Sequence, residues 1–265
     1  VPLLSNNLFV DLLEAIHRKL HPAGYQILIG VTHYRPEEEE DLLRSYLAQR
    51  PAGLLLTGFD RTPLARDLIE NSGVPTVYLM ETAAGGTVAS CVGFSQYDAG
   101  KAMTQHLLDT GRKRIAFGAA QLDPRVMQRL AGYRDAMKQA NRYDPSLEWL
   151  NPAPSSLALG ADMLEAIITQ HNDVDAVFFC NDDLAQGGLL AALRLQLPVP
   201  QRVAVAGFND LAGSAHMVPP LTTIRTPRVA IGEHAAAMLL SLMRDEPVHE
   251  PSVDLGWELV VRGST

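Results

Sequence analysis

Several short apolar runs in this chain end in side chains that can hold a small polar molecule. Asn181-Asp182-Asp183 follow Val177-Phe178-Phe179-Cys180, and Asn209-Asp210 follow Val203-Ala204-Val205-Ala206. Thr57 follows Leu54-Leu55-Leu56, Arg125 follows Ile115-Ala116-Phe117, and His33 and Arg35 follow Ile27-Leu28-Ile29. Ser5, Asn6 and Asn7 follow Val1-Pro2-Leu3-Leu4. Amides and hydroxyls donate and accept, carboxylates accept, and a guanidinium offers five donors. In a parallel α/β sheet the carboxyl ends of the strands form one crevice, and ligands bind there. These residues are therefore expected to converge on one site.

Other chemistry is excluded by what the sequence lacks. There is no G-x-x-x-x-G-K-[ST] and no G-x-G-x-x-G after a strand. No G-x-S-x-G offers a nucleophile elbow. The eight histidines form no H-E-x-x-H, and no Cys/His cluster has zinc spacing. No cofactor is expected. Asp182 and Asp183 could be an acid–base pair, but at a helix start they are more simply an N-cap neighbourhood and dipole-favourable acids. The net charge is −8, and basic residues are scattered, Arg112-Lys113-Arg114 being the densest run. A phosphate-neutralising surface needs clustered Lys and Arg, so this segment alone is not expected to bind nucleic acid. No run approaches the roughly 20 apolar residues that span a bilayer, and no secretory signal opens the chain. The two cysteines, Cys91 and Cys180, sit in apolar contexts and read as free thiols of a cytoplasmic protein.

Strands alternating with helices must position these residues. The pattern predicts strands over 25–31, 53–57, 74–79, 114–118, 175–180 and 203–207, with another near 1–4. It predicts helices over 8–20, 36–49, 62–71, 97–110, 125–140, 156–170, 182–195 and 227–244. Such alternation implies parallel sheets with right-handed crossovers. The chain is long enough, with 265 residues that are 47% hydrophobic, for two α/β lobes. A late helix and an extended stretch, Val253 to Val261, suggest returns to each lobe. The expected division is 1–111 plus 226–252 for an N-terminal lobe, and 112–225 plus 253–265 for a C-terminal lobe.

An ordered set of motifs carries a family resemblance. It comprises Val1-Pro2-Leu3-Leu4-Ser5-Asn6-Asn7-Leu8-Phe9, Gly53-Leu54-Leu55-Leu56-Thr57, Gly73-Val74-Pro75, Arg129-Leu130-Ala131-Gly132-Tyr133, Asn181-Asp182-Asp183, Gly207-Phe208-Asn209-Asp210 and Pro220-Leu221-Thr222-Thr223-Ile224. The chain resembles the effector-binding domain of LacI/GalR-type transcription regulators along its whole length. Thr62-Pro63, Leu79-Met80-Glu81, Val92-Gly93-Phe94 and Thr226-Pro227-Arg228 look like the gluconate-utilisation repressors within that family. The resemblance implies two Rossmann-like lobes, periplasmic-binding-protein-like, with a ligand cleft between them. It implies a homodimer that meets operator DNA through an N-terminal helix-turn-helix module, which this sequence does not contain. It also places the usual start of the first strand before Val1.

The resemblance implies roles residue by residue. Arg129 matches an arginine that grips the effector; its other reading is an exposed helix arginine. On a helix at an open cleft it is expected to be partly exposed, so that its loss spares ligand-free stability. Arg125 lies one turn earlier, and two cations on one helix face favour an anionic ligand. Asn181 matches an effector-contacting asparagine and is equally an N-cap. Asn209 stands where many relatives have the first of two aspartates, with Asp210 after it, and either could touch the ligand. Asp98 matches a ligand or gate position, or closes the capping box Ser95-Gln96-Tyr97-Asp98. Glu81 could accept from hydroxyls or pair with an arginine across the cleft. Ser5 and Thr57 offer small hydroxyls. Phe9 matches an aromatic beside the ligand, or is plain core. Relatives for neutral sugars or bases often carry an aromatic wall where this chain has Pro154-Ser155-Ser156. The reading is a repressor domain sensing a sugar acid such as gluconate. A periplasmic sugar-binding protein of a transporter is the alternative.

Overall fold

A computed structural model describes residues 1–3, 7–82 and 89–265. In chain order, α1 (Asn7–Leu20), α2 (Pro36–Ala48), β1 (Leu54–Thr57), α3 (Pro63–Ser72), β2 (Thr76–Leu79) and β3 (Cys91–Gly93) come first. Then follow α4 (Gln96–Asp109), β4 (Ile115–Ala120), α5 (Pro124–Gln139), β5 (Glu148–Asn151), α6 (Leu157–Gln170) and β6 (Ala176–Phe179). The last are α7 (Asp182–Arg194), β7 (Ala204–Asn209), β8 (Thr222–Arg225), α8 (Arg228–Met243), β9 (Ser252–Asp254) and β10 (Glu258–Val260). The chain divides into two compact units, Val1–Ser95 with Pro227–Gly256, and Gln96–Thr226 with Trp257–Thr265. Among the described residues no helix is long and apolar enough to cross a membrane.

The helices begin where local chemistry starts them. Pro36 opens α2, with Glu37, Glu38 and Glu39 in its first turn, where the helix dipole favours acids. Thr62 Oγ1 caps α3 by accepting from Ala65 N, ahead of Pro63. Asp123 caps α5 ahead of Pro124, Ser156 caps α6, and Asn181 caps α7. Side-chain acceptors there satisfy amides that no helical carbonyl can reach.

In the first unit the sheet order is β1-β2-β3-β9, all parallel. Leu43, Leu54, Ala65 and Ile69 form a buried cluster under α2 and α3. Phe9, Leu12 and Ile16 of α1 are buried, and Gly232 of α8 comes so close that a Cβ there would lie 2.7 Å from the Leu12 carbonyl oxygen. The expected strand over 25–31 is not formed, nor is one seen among the described residues of 1–4. Backbone hydrogen bonds do join Val1 N to Gly30 O, Thr32 N to Val1 O and His33 N to Pro2 O. Both 25–30 and β1 line one apolar trough of about 360 Å³ and do not pair across it, so Leu28 and Ile29 stay exposed.

In the second unit the sheet order is β10-β8-β7-β6-β4-β5, parallel except for β10 on β8. Every residue of β4, β6 and β7 is buried. Here the division differs from the expected one. The helix predicted at 97–110 belongs to this unit rather than to the N-terminal lobe, because α4 and α5 meet at glycines. A Cβ on Gly132 would lie 2.2 Å from Tyr97 O, and one on Gly100 2.5 Å from Arg129 O. The stretch Val253 to Val261 also splits, β9 joining the first sheet and β10 the second. The predicted helices match to within one residue at each end. Strands β3, β5 and β8 were not resolved by the sequence pattern, and β9 and β10 only as one extended stretch.

Candidate functional site

The carboxyl ends of β4, β6 and β7 carry the site of the second unit. The backbone there takes unusual shapes. Gln121 and Leu122 after β4 have φ of 68° and 32°, and Asn209 and Asp210 at the end of β7 have 114° and 51°. Side chains with a Cβ avoid that region, and such strain collects where function over-determines the fold.

Arg129 is the centre of this edge. It lies on α5, whose close packing on α4 brings it against the β6 and β7 ends. It is only 7% exposed, not partly open as expected. Its Nε donates to Gln96 Oε1 at 2.8 Å, and its Nη1 donates to Cys180 O at 2.7 Å. The guanidinium carbon lies 3.8 Å from the Phe208 ring centroid. Cys180 precedes Asn181 and Phe208 precedes Asn209, so Arg129 lies against the two strand ends that carry these asparagines. Burial pushes the Cys180 thiol up to about 11, leaving it inert beside the arginine.

Asn181 is an N-cap, as its alternative reading had it. Its Oδ1 accepts from Leu184 N at 3.0 Å and from Ser155 Oγ at 3.0 Å. The segment without a stacking aromatic therefore lies directly on this residue. The amide N–H₂ of Asn181 is left to donate elsewhere. Asn209 is buried, 4% exposed. Asp210 is committed: Arg225 Nε and Arg262 Nη1 each reach its carboxylate at 2.8 Å. Burial alone would raise that carboxyl, but the two arginines hold it below its ordinary value.

Arg125 does not act as a second open cation. Its Nη2 pairs with Asp123 Oδ2 at 3.1 Å, and its Nε reaches Asp123 Oδ1 at 3.4 Å. Burial opposes the charge on Asp123, yet Arg125 wins and lowers its pKa. Asp182 is wholly buried and accepts from Leu211 N, Ser214 Oγ and Thr223 Oγ1 at 2.7–2.8 Å. Burial outweighs those donors and pushes its carboxyl up to about 6. It ties α7 to β8 and to the chain after β7, which is a structural duty. Asp98 is exposed in the first turn of α4.

The first unit carries the remaining candidates. Thr57 ends β1, and its Oγ1 is buried without a hydrogen-bond partner. Glu81 follows β2, is 6% exposed, and accepts from Phe59 N at 3.3 Å. Phe9 is 1% exposed in α1. Ser5 lies outside the described residues. His33 and Arg35 both bind Glu38, at 2.6 Å and 3.0 Å, on an exposed face.

The sequence reading missed Gln96, Phe208, Asp123 and Arg61. Asp123-Pro124 was legible as an N-cap and first helical residue. Gln96 was visible only as part of a capping box, and Phe208 only as a strand residue. Arg61 is buried on Tyr78, its guanidinium carbon 5.1 Å from the ring centroid. It pairs with Glu39 at 3.2 Å and donates to Gly58 O at 2.6 Å. A buried arginine in a turn leaves no signal in periodicity. Burial raises the pKa of Glu39 against the pull of Arg61.

Comparison with known proteins places this geometry. The family model for a periplasmic binding protein-like domain matches residues 104–265. The chain is 53% identical over its whole length to an HTH-type transcriptional regulator GntR of Pseudomonas aeruginosa, covering 77% of that protein. A crystal structure of transcription regulator GntR from Chromobacterium violaceum superposes with a TM-score of 0.97 at 48% identity, covering 100% of this chain and 97% of that one. A LacI-family regulator from Silicibacter pomeroyi has a TM-score of 0.94 at 30% identity, covering 99% and 79%.

Proposed function

The chain belongs to the LacI family of transcription regulators, and on that premise we propose that it senses a sugar acid such as gluconate for a DNA-binding repressor. It is a regulator's domain and not an enzyme. One observation carries the choice of an acid. Arg129 is buried at the strand ends, and the asparagines Asn181 and Asn209 each follow one of its contacts, Cys180 and Phe208. A buried guanidinium attracts an anion strongly, because low polarity strengthens charge-assisted bonds.

In this reading Arg129 takes the carboxylate, while Asn181 and Asn209 serve the hydroxyls. Asp210 does not compete, since its two arginines engage it. Arg125 adds little net charge, being held by Asp123. The expected contacts of Thr57 and Glu81 belong to the same proposal, as do Asp98, Phe9 and Ser5. So do a cytoplasmic setting, a homodimer and operator binding through a helix-turn-helix module. The effector must bind one state of the regulator better than the other to change operator affinity.

Calorimetry with gluconate, 2-ketogluconate, glucose and ribose tests the ligand class. The acids are expected to bind more tightly than both neutral sugars. Tighter binding of glucose or ribose than of either acid would refute the reading.

A further inference from the structure

We propose that Gln96 is a positioning residue for Arg129, and that it decides how this arginine can meet an acid. This rests on the reading of Arg129 as the acid's partner. Gln96 is fully buried at the start of α4, and its Oε1 accepts from Arg129 Nε at 2.8 Å. Nε carries a single hydrogen, so Gln96 takes all that this nitrogen can offer. The side-on fork, which pairs Nε with Nη2, is thereby closed to a ligand. An acid meets Arg129 through the Nη nitrogens instead.

Two further contacts fix the plane. Phe208 lies against one face of the guanidinium at 3.8 Å, and Cys180 O takes Nη1 at 2.7 Å. Rotation about the Cδ–Nε bond of Arg129 would swing Nε–H off Gln96 and Nη1 off Cys180 O together. The backbone brings Gln96 there. Gly132 and Gly100 let α5 and α4 approach until a Cβ on either would overlap the other helix's backbone. A glutamine suits the task because it accepts without charge. A carboxylate would hold the same bond and add a negative charge beside Arg129, which opposes the binding of an acid.

Gln96→Glu and Gln96→Leu separate holding from charge. Two quantities are read on the full chain. One is the Nε–H resonance of Arg129 in the ligand-free protein, assigned by its loss in Arg129→Lys. The other is the ratio of gluconate to glucose affinity. Wild type is expected to show a slowly exchanging Nε–H. Gln96→Glu should keep that signal and lower the affinity ratio by about tenfold or more. Gln96→Leu should lose the signal and lower the ratio by roughly three- to tenfold, with glucose affinity unchanged. A kept affinity ratio in Gln96→Glu would overturn the proposal, as would a protected Nε–H in Gln96→Leu. Equal loss of gluconate and glucose affinity would reduce Gln96 to a packing role. If wild type prefers glucose, the sugar-acid reading falls, and the Nε–H signal still decides whether Gln96 holds Arg129.

Discussion

The two units are built on the same plan and finish it differently. In the second, β4, β6 and β7 are buried at every residue, and the buried carboxylate of Asp182 is met by three donors. In the first, β1 is buried at one residue of four. Buried polar atoms without hydrogen-bond partners occur in both, Thr57 Oγ1 and Arg61 Nε in the first and Arg112 Nε, Trp149 Nε1 and Thr226 Oγ1 in the second. An unmet buried polar group costs about 1–3 kcal/mol, while a met one is close to neutral or favourable. The second unit aims Arg129 against strands buried at every residue. The first carries Thr57 on a strand that is only partly buried.

Paired substitutions can break this comparison, and the largest effect is expected at the helix contacts. In the second unit α6 and α7 interlock reciprocally: a Cβ on Gly187 would lie 2.0 Å from Leu157 O, and one on Gly160 2.1 Å from Leu184 O. In the first unit the contact of α8 on α1 is one-sided, 2.7 Å from Gly232 to Leu12 O. Gly187→Ala should cost about 3 kcal/mol or more, and Gly232→Ala about 1–2 kcal/mol. Hydrogen exchange in β6 and in β2 reads the two losses separately. Equal costs would remove the distinction.

Arg129→Ala comes next. It should weaken gluconate binding by about ten- to a hundredfold, from a lost charge-assisted bond of roughly 1.5–3 kcal/mol. It should also lower the ligand-free melting temperature, because the side chain is buried on Phe208 and bonded to Gln96 and Cys180. Calorimetry and thermal melts read both. An unchanged ligand-free melt would show that the second unit does not depend on Arg129.

The smallest effect sharpens the comparison by its sign. Thr223→Val removes a donor from Asp182 in the second unit and should destabilise by about 1–2 kcal/mol. Thr57→Val removes a buried hydroxyl without a partner in the first unit and should stabilise by up to about 1 kcal/mol. Denaturant midpoints decide it. The same sign in both would mean that Thr57 finds a partner in solution, and a loss of gluconate affinity in Thr57→Val would make that partner the effector.

Legibility followed the range of the interaction. Helices were readable because their caps are local: Thr62, Asp123, Ser156 and Asn181 each bond an amide two or three residues on. Strands β4, β6 and β7 were readable because burial on both faces demands continuous apolar runs. The segment 25–31 has the same composition and forms no strand, since a ladder requires a neighbour, and no local pattern reports one.

Sequence alone determined that Asn181, Asn209 and Asp210 stand at strand ends, and the family resemblance added Arg129 to the ones to weigh. The sequence could also count charges. Tertiary structure decided which charges remain available. Asp123 closes on Arg125 from two residues away, but Arg225 and Arg262 reach Asp210 from 15 and 52 positions along the chain. Gln96 reaches Arg129 across 33 residues. Such pairings depend on how closely two backbones approach, which glycines permit and only packing enforces, so the aim of a guanidinium is a property of the folded whole.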